Sequence, residues 1–202
     1  GYDSESVGGS LYWNAKSGTC YNGGNNATTS CDFTSTGLKN DTTRNMIAET
    51  TYYTRGHNTS SIYVDAMYDK ERVSGTVITG VTPTRTLTWT GKIAVAYPSD
   101  YGYAADLSLC RRTLVDYDNS TCTANNWMYN IVTNNGAGWE WLLTPYSDTA
   151  YLAWNVRSGG YVDYSTGSAC DSYGVAPVLS LTSELDIGSG SGASSSPYQL
   201  SV

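Results

Sequence analysis

The stretch from Tyr151 to Tyr164 is what most narrows the fold of this chain. Tyr151-Leu152-Ala153-Trp154-Asn155-Val156-Arg157 alternates apolar with polar or small residues, Ser158-Gly159-Gly160 interrupts it, and Tyr161-Val162-Asp163-Tyr164 resumes it. Alternation on both sides of a Gly-rich connection is the signature of a β-hairpin. The period of two then assigns faces: Leu152, Trp154, Val156 and Val162 turn inward, while Tyr151, Ala153, Asn155, Arg157, Tyr161 and Asp163 turn outward. A slip of one residue would wet the whole apolar set, so the register is strongly specified. The outward set of Tyr, Asn, Arg and Asp suits stacking and hydrogen bonding to a ligand, although solvent is an adequate partner too.

Other segments read as strands around this hairpin. In Trp139-Glu140-Trp141-Leu142-Leu143-Thr144-Pro145, Trp141, Leu143 and Pro145 share a parity that Trp139 extends. This predicts a central strand with those residues inside and Glu140 facing water or an Arg. Thr76 to Tyr97 is poor in helix formers and broken by Pro83, as expected of strands or irregular chain. Ala176-Pro177-Val178-Leu179-Ser180-Leu181 and Leu185-Asp186-Ile187 follow, then a Gly188–Ser196 loop and Pro197-Tyr198-Gln199-Leu200, a tail expected to fold back. Helical spacing is confined to two windows. In Thr42–Thr54, Asp41 or Thr42 would cap a face of Met46, Ile47, Ala48, Tyr52 and Tyr53 that ends at Gly56; Ser60–Arg72 offers Tyr63, Ala66, Met67 and Lys70.

The 202 residues form one expected domain. Residues 1–40 supply a strand and a stapled loop, 41–75 a two-helix region, and 76–202 a sheet core. A formal charge of −7, with no clustering of Lys and Arg, argues against nucleic acid as a partner. No run approaches the roughly 18 apolar residues of a membrane span. Richness in Ser, Thr, Tyr, Gly and Asn suits a secreted or cell-surface protein, and a start without Met leads to the expectation of a trimmed ectodomain.

Five cysteines cannot all pair within one chain. Cys20 with Cys31 and Cys110 with Cys122 are the economical short-range pairs, leaving Cys170 odd. Each closed loop of about ten residues contributes ~2–3 kcal/mol. A zinc site is the competing reading, but there is no CxxC pair, and the single histidine, His57, has no neighbouring Cys. Hydrolytic chemistry has little to build on: a Gly-x-Ser-x-Gly elbow is missing and one histidine must serve every His-dependent mechanism. Asp100, Asp106, Glu140 and Asp148 have no spacing that marks a carboxylate pair. Calcium stays open on Asp116, Asp118 and Asn119, or on Asp148 and Asp163, although no loop has the alternating acidic pattern of a dedicated site. Asn26, Asn40, Asn58 and Asn119 each begin a glycosylation sequon, informative only in a host that modifies exported proteins.

Trp127, the Trp139–Pro145 strand, the Ala150–Val162 hairpin and Gly174-Val175-Ala176-Pro177-Val178-Leu179 together resemble a bacterial family. Tyr97-Pro98-Ser99-Asp100-Tyr101-Gly102-Tyr103-Ala104 and the closing Leu185–Leu200 segment extend the likeness. The family is that of the C-type-lectin-like domains of surface and pilin-like proteins, including the variable proteins that diversity-generating retroelements mutate. The resemblance implies an α+β fold of small, twisted antiparallel sheets with two helices and long loops. It also implies a fixed scaffold of Trp127, Trp139, Trp141, Leu143, Pro145, Leu152, Val156, Val162, Pro177 and Leu179. The variable segment would be 146–173, with a ligand surface of Tyr146, Ser147, Asp148, Tyr151, Asn155, Arg157, Tyr161, Asp163, Tyr164 and Asp171.

The function so implied is non-catalytic recognition of a protein or cell-surface glycan at the bacterial surface, without a required cofactor or metal. The alternative is a structural minor-pilin or surface-assembly module that packs against neighbouring subunits through the same face. An enzyme of the formylglycine-generating type ranks third, because it would need a close reactive Cys pair. The chain departs from the family where Ala176 precedes Pro177 in place of Arg. It also lacks the sugar-lectin calcium triplet, and Trp154-Asn155-Val156 keeps two letters of Trp-Asn-Asp without the carboxylate.

Overall fold

The computed structural model describes residues 19–20, 29–30, 45–75, 87–134, 138–148, 152–164, 173–193 and 195–201. These form a mixed α/β architecture of several small antiparallel sheets with a few short helices. Strand β1 (Thr19–Cys20) pairs with β2 (Thr29–Ser30), setting Cys20 opposite Thr29. Cys31 lies outside the described residues, and so does the expected Cys20–Cys31 bridge.

The C-terminal part of the first expected helix is instead strand β3 (Thr50–Tyr53), paired with β4 (Thr88–Gly91), while residues 41–44 lie outside the described residues. Thr50, Thr51, Tyr52 and Tyr53 are β-branched or aromatic and fit a pleated surface better than a helix. Across the ladder Tyr52 stacks on Trp89 at 5.4 Å, a contact that helical periodicity within 42–54 gave no hint of. The second helix forms as α1 (Val64–Asp69) and runs on as a π-helical turn over Lys70–Ser74. Its buried face is Val64, Met67 and Glu71, while Tyr63 is exposed; the inward stripe is therefore rotated from the expected one.

Strand β5 (Ile93–Val95) leads to α2 (Pro98–Tyr103). Pro98 occupies the first helical position, where its missing N–H costs nothing, and Asp100 accepts a hydrogen bond from the Tyr97 N–H at 3.0 Å. Helix α2 crosses α1 at Gly102, where a Cβ would lie 2.5 Å from Val64 Cγ2 and 3.0 Å from Leu114 Cδ2. Alongside, Glu71 is fully buried at the start of α2. It accepts hydrogen bonds from the Ser99 N–H (3.1 Å), the Ser99 hydroxyl and Arg72 (2.9 Å), and Arg72 reaches on to Asp100 at 2.9 Å. Burial nonetheless raises the Glu71 carboxyl to about 8, against the pull of Ser99 and Arg72.

A 3₁₀ turn (Leu114–Asp116) precedes α3 (Ser120–Ala124), whose first turn is capped by Asn119 Oδ1 accepting from the Thr121 N–H at 3.0 Å. The expected disulfide joins Cys110 to Cys122, both buried. After α4 (Tyr129–Asn134), β6 (Trp139–Pro145), β7 (Ala153–Arg157) and β8 (Val162–Asp163) make a three-stranded antiparallel sheet in that order, so the expected hairpin is present. Strand β9 (Pro177–Leu179) returns beside β5. The tail folds back as expected, with β10 (Asp186–Ile187) pairing to β11 (Leu200–Ser201). Among the described residues no helix is long and apolar enough to cross a membrane.

One core gathers α1, α2 and the β6–β8 sheet: Met67, Tyr101, Leu114, Tyr117, Val132, Leu142, Trp154, Val156 and Val162 are nearly inaccessible. Each such large apolar side chain contributes ~1.5–3 kcal/mol by leaving water. The scaffold expected from the sequence is only partly this core. Strand β6 presents the opposite parity, burying Glu140, Leu142 and Thr144 and leaving Trp139, Trp141 and Leu143 half-buried. The cause is the register. Glu140 pairs with Val156 and Trp141 with Asn155, and directly opposed residues share a face, so Val156 entering the core carries Glu140 with it. Trp127 is 67% exposed, and Pro177 and Leu179 are exposed as well, so none of the three is a core residue.

Candidate functional site

Two groups of aromatic and polar side chains are built around the β6–β8 sheet, one on each side. The first occupies the side away from the core. Registers Trp139↔Arg157 and Trp141↔Asn155↔Asp163 set these five side chains in two adjacent rows across the strands. The segment at Gly174 runs beside β6, its N–H donating to Trp139 O (2.7 Å) and its carbonyl accepting from the Trp141 N–H (2.9 Å). That anchoring brings the Tyr173 ring to 4.8 Å from Trp139 and 4.5 Å from Trp141.

Arg157 is the centre of this group. Its guanidinium lies 4.4 Å from the Trp139 ring centroid and 5.3 Å from that of Tyr161, and donates to Asp163 Oδ2 at 2.8 Å. The other Asp163 oxygen accepts from the Tyr164 N–H at 2.7 Å. The Arg157 and Asp163 side chains are only 12% and 14% exposed, so the pair is shielded from salt, with the guanidinium over two aromatic rings. The result is a nearly neutral patch of indole, phenol and guanidinium planes.

Asn155 corrects the expected outward set. It shares this side of the sheet but is completely buried, and its Oδ1 has no hydrogen-bond partner while its Nδ2 makes one long bond to Ala153 O at 3.5 Å. Alternation gives direction, not accessibility, and the middle strand of a three-stranded sheet is flanked by bulky neighbours on both sides.

The second group lies at the core side of the sheet's far end. Tyr146 and Tyr164 stack at 4.1 Å, and Trp154 packs 5.3 Å from Tyr164 and 6.5 Å from His57, parallel to the latter within 10°. Backbone contacts hold this arrangement: His57 O accepts from the Ser147 N–H and from Trp154 Nε1, both at 3.2 Å. Gly56 makes the approach feasible, since a Cβ there would sit 2.8 Å from Pro145 O. Asp148 collects Ser147 Oγ (3.0 Å), Asn58 Nδ2 (3.3 Å) and Tyr146 Oη (3.4 Å). Burial, with Tyr164 and Asp148 beside it, raises the Tyr146 hydroxyl to about 12, so it remains a donor. Burial, then the Lys70 charge, lowers His57 below its ordinary 6.5 against the opposing pull of Asp148, so the imidazole is neutral at pH 7. Its Nε2 has no hydrogen-bond partner in the structure.

The ten expected ligand residues therefore divide. Arg157, Tyr161 and Asp163 meet on one side of the sheet, whereas Tyr146, Ser147, Asp148 and Tyr164 meet on the other. Asn155 is internal, and Tyr151 and Asp171 lie outside the described residues. Sequence reasoning missed Trp139, Trp141 and Tyr173 as site residues because it spent the two tryptophans on the core. The available signal was register: pairing Trp139 to Arg157 across the hairpin would have turned them to the Arg side. The rings of the first group are half-buried, whereas in the second Trp154 is fully buried and Tyr146 and Tyr164 cover each other. Asp148 and Asp163, expected as alternative calcium oxygens, serve separate groups, and no three His, Cys, Asp or Glu of the described residues converge to hold a metal. No family model, no curated protein and no solved structure matches this chain.

Proposed function

We propose that this chain is a non-catalytic, cell-surface recognition domain of C-type-lectin-like architecture, binding a protein or cell-surface glycan through the sheet side that carries Trp139, Trp141, Arg157, Tyr161, Asp163 and Tyr173. The observation that carries this reading is the Arg157 guanidinium, paired to Asp163 and set between the Trp139 and Tyr161 rings. Rigid Trp, Tyr and Arg side chains dominate binding energy at protein interfaces because they offer large contacts with few rotatable bonds. An Arg already locked in place loses little further entropy on binding. The small antiparallel sheets and short helices are compatible with the lectin-like architecture. Retroelement diversification of 146–173 belongs to the same proposal, and a near-identical flanking repeat differing mainly at adenines is its genetic test.

A screen of immobilised surface proteins and glycans, run with wild type, Trp139→Ala and Tyr161→Ala, tests the binding surface. Selective loss of a captured ligand in both variants supports it. Ligand capture that is indifferent to both substitutions would falsify it.

The assembly expected from the sequence uses the same face as the ligand; a separate assembly reading is favoured by another part of the molecule. Ile93 and Leu179 face each other across β5–β9, Ile187 and Leu200 across β10–β11, and all four are exposed. A contact between copies there predicts an oligomer at micromolar concentration that Ile187→Glu dissolves, measured by sedimentation.

A further inference from the structure

The largest exposed indole in the described chain belongs to neither group. Trp127 is 67% exposed and stands at an open pocket of about 470 Å³, where Thr123, Asn125, Asn126, Tyr129 and Asn130 also line the wall. That volume lies within the roughly 300–1,000 Å³ usual for small-molecule sites. Among the described residues, no Lys, Arg, Asp, Glu or His lines it. The pocket therefore offers no partner for a charged ligand, and removing an ion from water into it would be uncompensated.

The walls are firmly built. Asn126 is buried, donates Nδ2 to Tyr101 O at 2.9 Å and accepts from the Met128 N–H at 3.0 Å, which pins the chain on both sides of Trp127. The Trp127 N–H donates to Ala104 O at 3.3 Å, and the Asp106 N–H to Asn125 O at 2.9 Å. The Cys110–Cys122 bridge closes the loop immediately before Thr123. On the far side Tyr129 Oη donates to Ser158 O at 3.3 Å, and a Cβ on Gly160 would come within 2.8 Å of Thr123 Cγ2 and 3.1 Å of the Tyr129 ring. Asn125 uses one amide hydrogen on Thr121 O at 2.8 Å, leaving its oxygen as an acceptor, and Asn130 is exposed.

An exposed, backbone-anchored indole beside uncharged amides is chemically matched to a ligand with one apolar face and a rim of hydroxyls. A pyranose ring is such a ligand: its axial C–H face lies against an aromatic plane while amide groups donate to and accept from its hydroxyls. We infer that the Trp127 pocket is a binding site for a single neutral saccharide ring, distinct from the sheet-side surface. A proline-containing peptide would also stack on indole, but it would leave the amide rim without matching hydroxyls.

Titration calorimetry and saturation-transfer NMR of the full chain test this, using glucose, galactose, mannose, N-acetylglucosamine and their neutral disaccharides up to about 20 mM, a range suited to weak single-ring sites. Glucose 6-phosphate and a polyproline peptide are the comparison ligands. At least one neutral sugar binds, with an affinity that falls about tenfold or more in Trp127→Ala, as when an aromatic anchor is truncated. Asn130→Ala weakens the same sugar, and glucose 6-phosphate binds no better than glucose. Because Trp127 and Asn130 are exposed, both variants keep the wild-type melting temperature. Absence of any neutral-sugar binding, sugar binding indifferent to Trp127→Ala, or polyproline binding through Trp127 without sugar binding overturns the inference.

Discussion

Replacing Arg157 by Ala is the sharpest test of how the sheet-side patch is held. The substitution removes the 2.8 Å ion pair to Asp163 and the cation over Trp139, and leaves a carboxylate only 14% exposed without its guanidinium. Exposed pairs contribute ~0–1 kcal/mol, whereas breaking a buried one costs ~3–5 kcal/mol. With both partners nearly but not fully buried, and ~0.5–1 kcal/mol added for the ring contact, the expected loss is about 3 kcal/mol. For a chain of this length that lowers the melting temperature by roughly 6–12 °C. Arg157→Lys keeps the charge but not the planar stack, and should lose about 1 kcal/mol.

Urea denaturation of wild type, Arg157→Ala, Asp163→Asn and the double variant isolates the pair. A coupling of about 2 kcal/mol is expected, because the two side chains contact each other directly. It should change little between about 0.05 and 0.5 M salt, since shielded charges escape screening. If Arg157→Ala costs under about 0.5 kcal/mol, or the coupling vanishes at high salt, the guanidinium is solvated like any surface Arg. The braced patch, and the recognition surface proposed on it, would then lose their foundation.

Other expectations are as direct. Glu71, raised from 4.5 to about 8 by burial, holds its proton in the folded chain after the unfolded chain has lost it. Stability is thus fullest below the unfolded value and falls as pH rises toward about 8. Glu71→Gln should flatten that decline in urea melts at about pH 5, 7 and 9; parallel profiles for the two proteins would rule out the buried-acid assignment. Gly160→Ala meets both a φ of +96° and Thr123 Cγ2 at 2.8 Å, and should destabilise by ~2–3 kcal/mol while leaving the fold recognisable by circular dichroism. Cys110→Ser with Cys122→Ser opens a loop of sequence separation 12 and should cost about 3 kcal/mol; equal melting of this variant and the oxidised wild type would show that the bridge constrains little.

What the sequence determined by itself was local. Strict alternation around Ser158-Gly159-Gly160 sets the β7–β8 hairpin, with Trp154, Val156 and Val162 inside, because each inward position there is apolar whatever the neighbours do. The Cys110–Cys122 pair and the returning tail were legible for similar reasons of short separation and turn chemistry. In Trp139–Pro145 the apolar parity is Trp139, Trp141, Leu143 and Pro145, yet the polar parity with Glu140 and Thr144 is the one buried; only pairing with Asn155, Val156 and Arg157 decided that the tryptophans face the Arg. Thr50–Tyr53 became a strand because β4, some forty residues later, offered a ladder that outweighs a loose helical stripe. The burial of Asn155, the exposure of Trp127 and the meeting of His57 with Trp154 are likewise tertiary facts. Accessibility depends on what packs over a side chain from distant segments, and a one-dimensional pattern records only which way that side chain leaves its own strand.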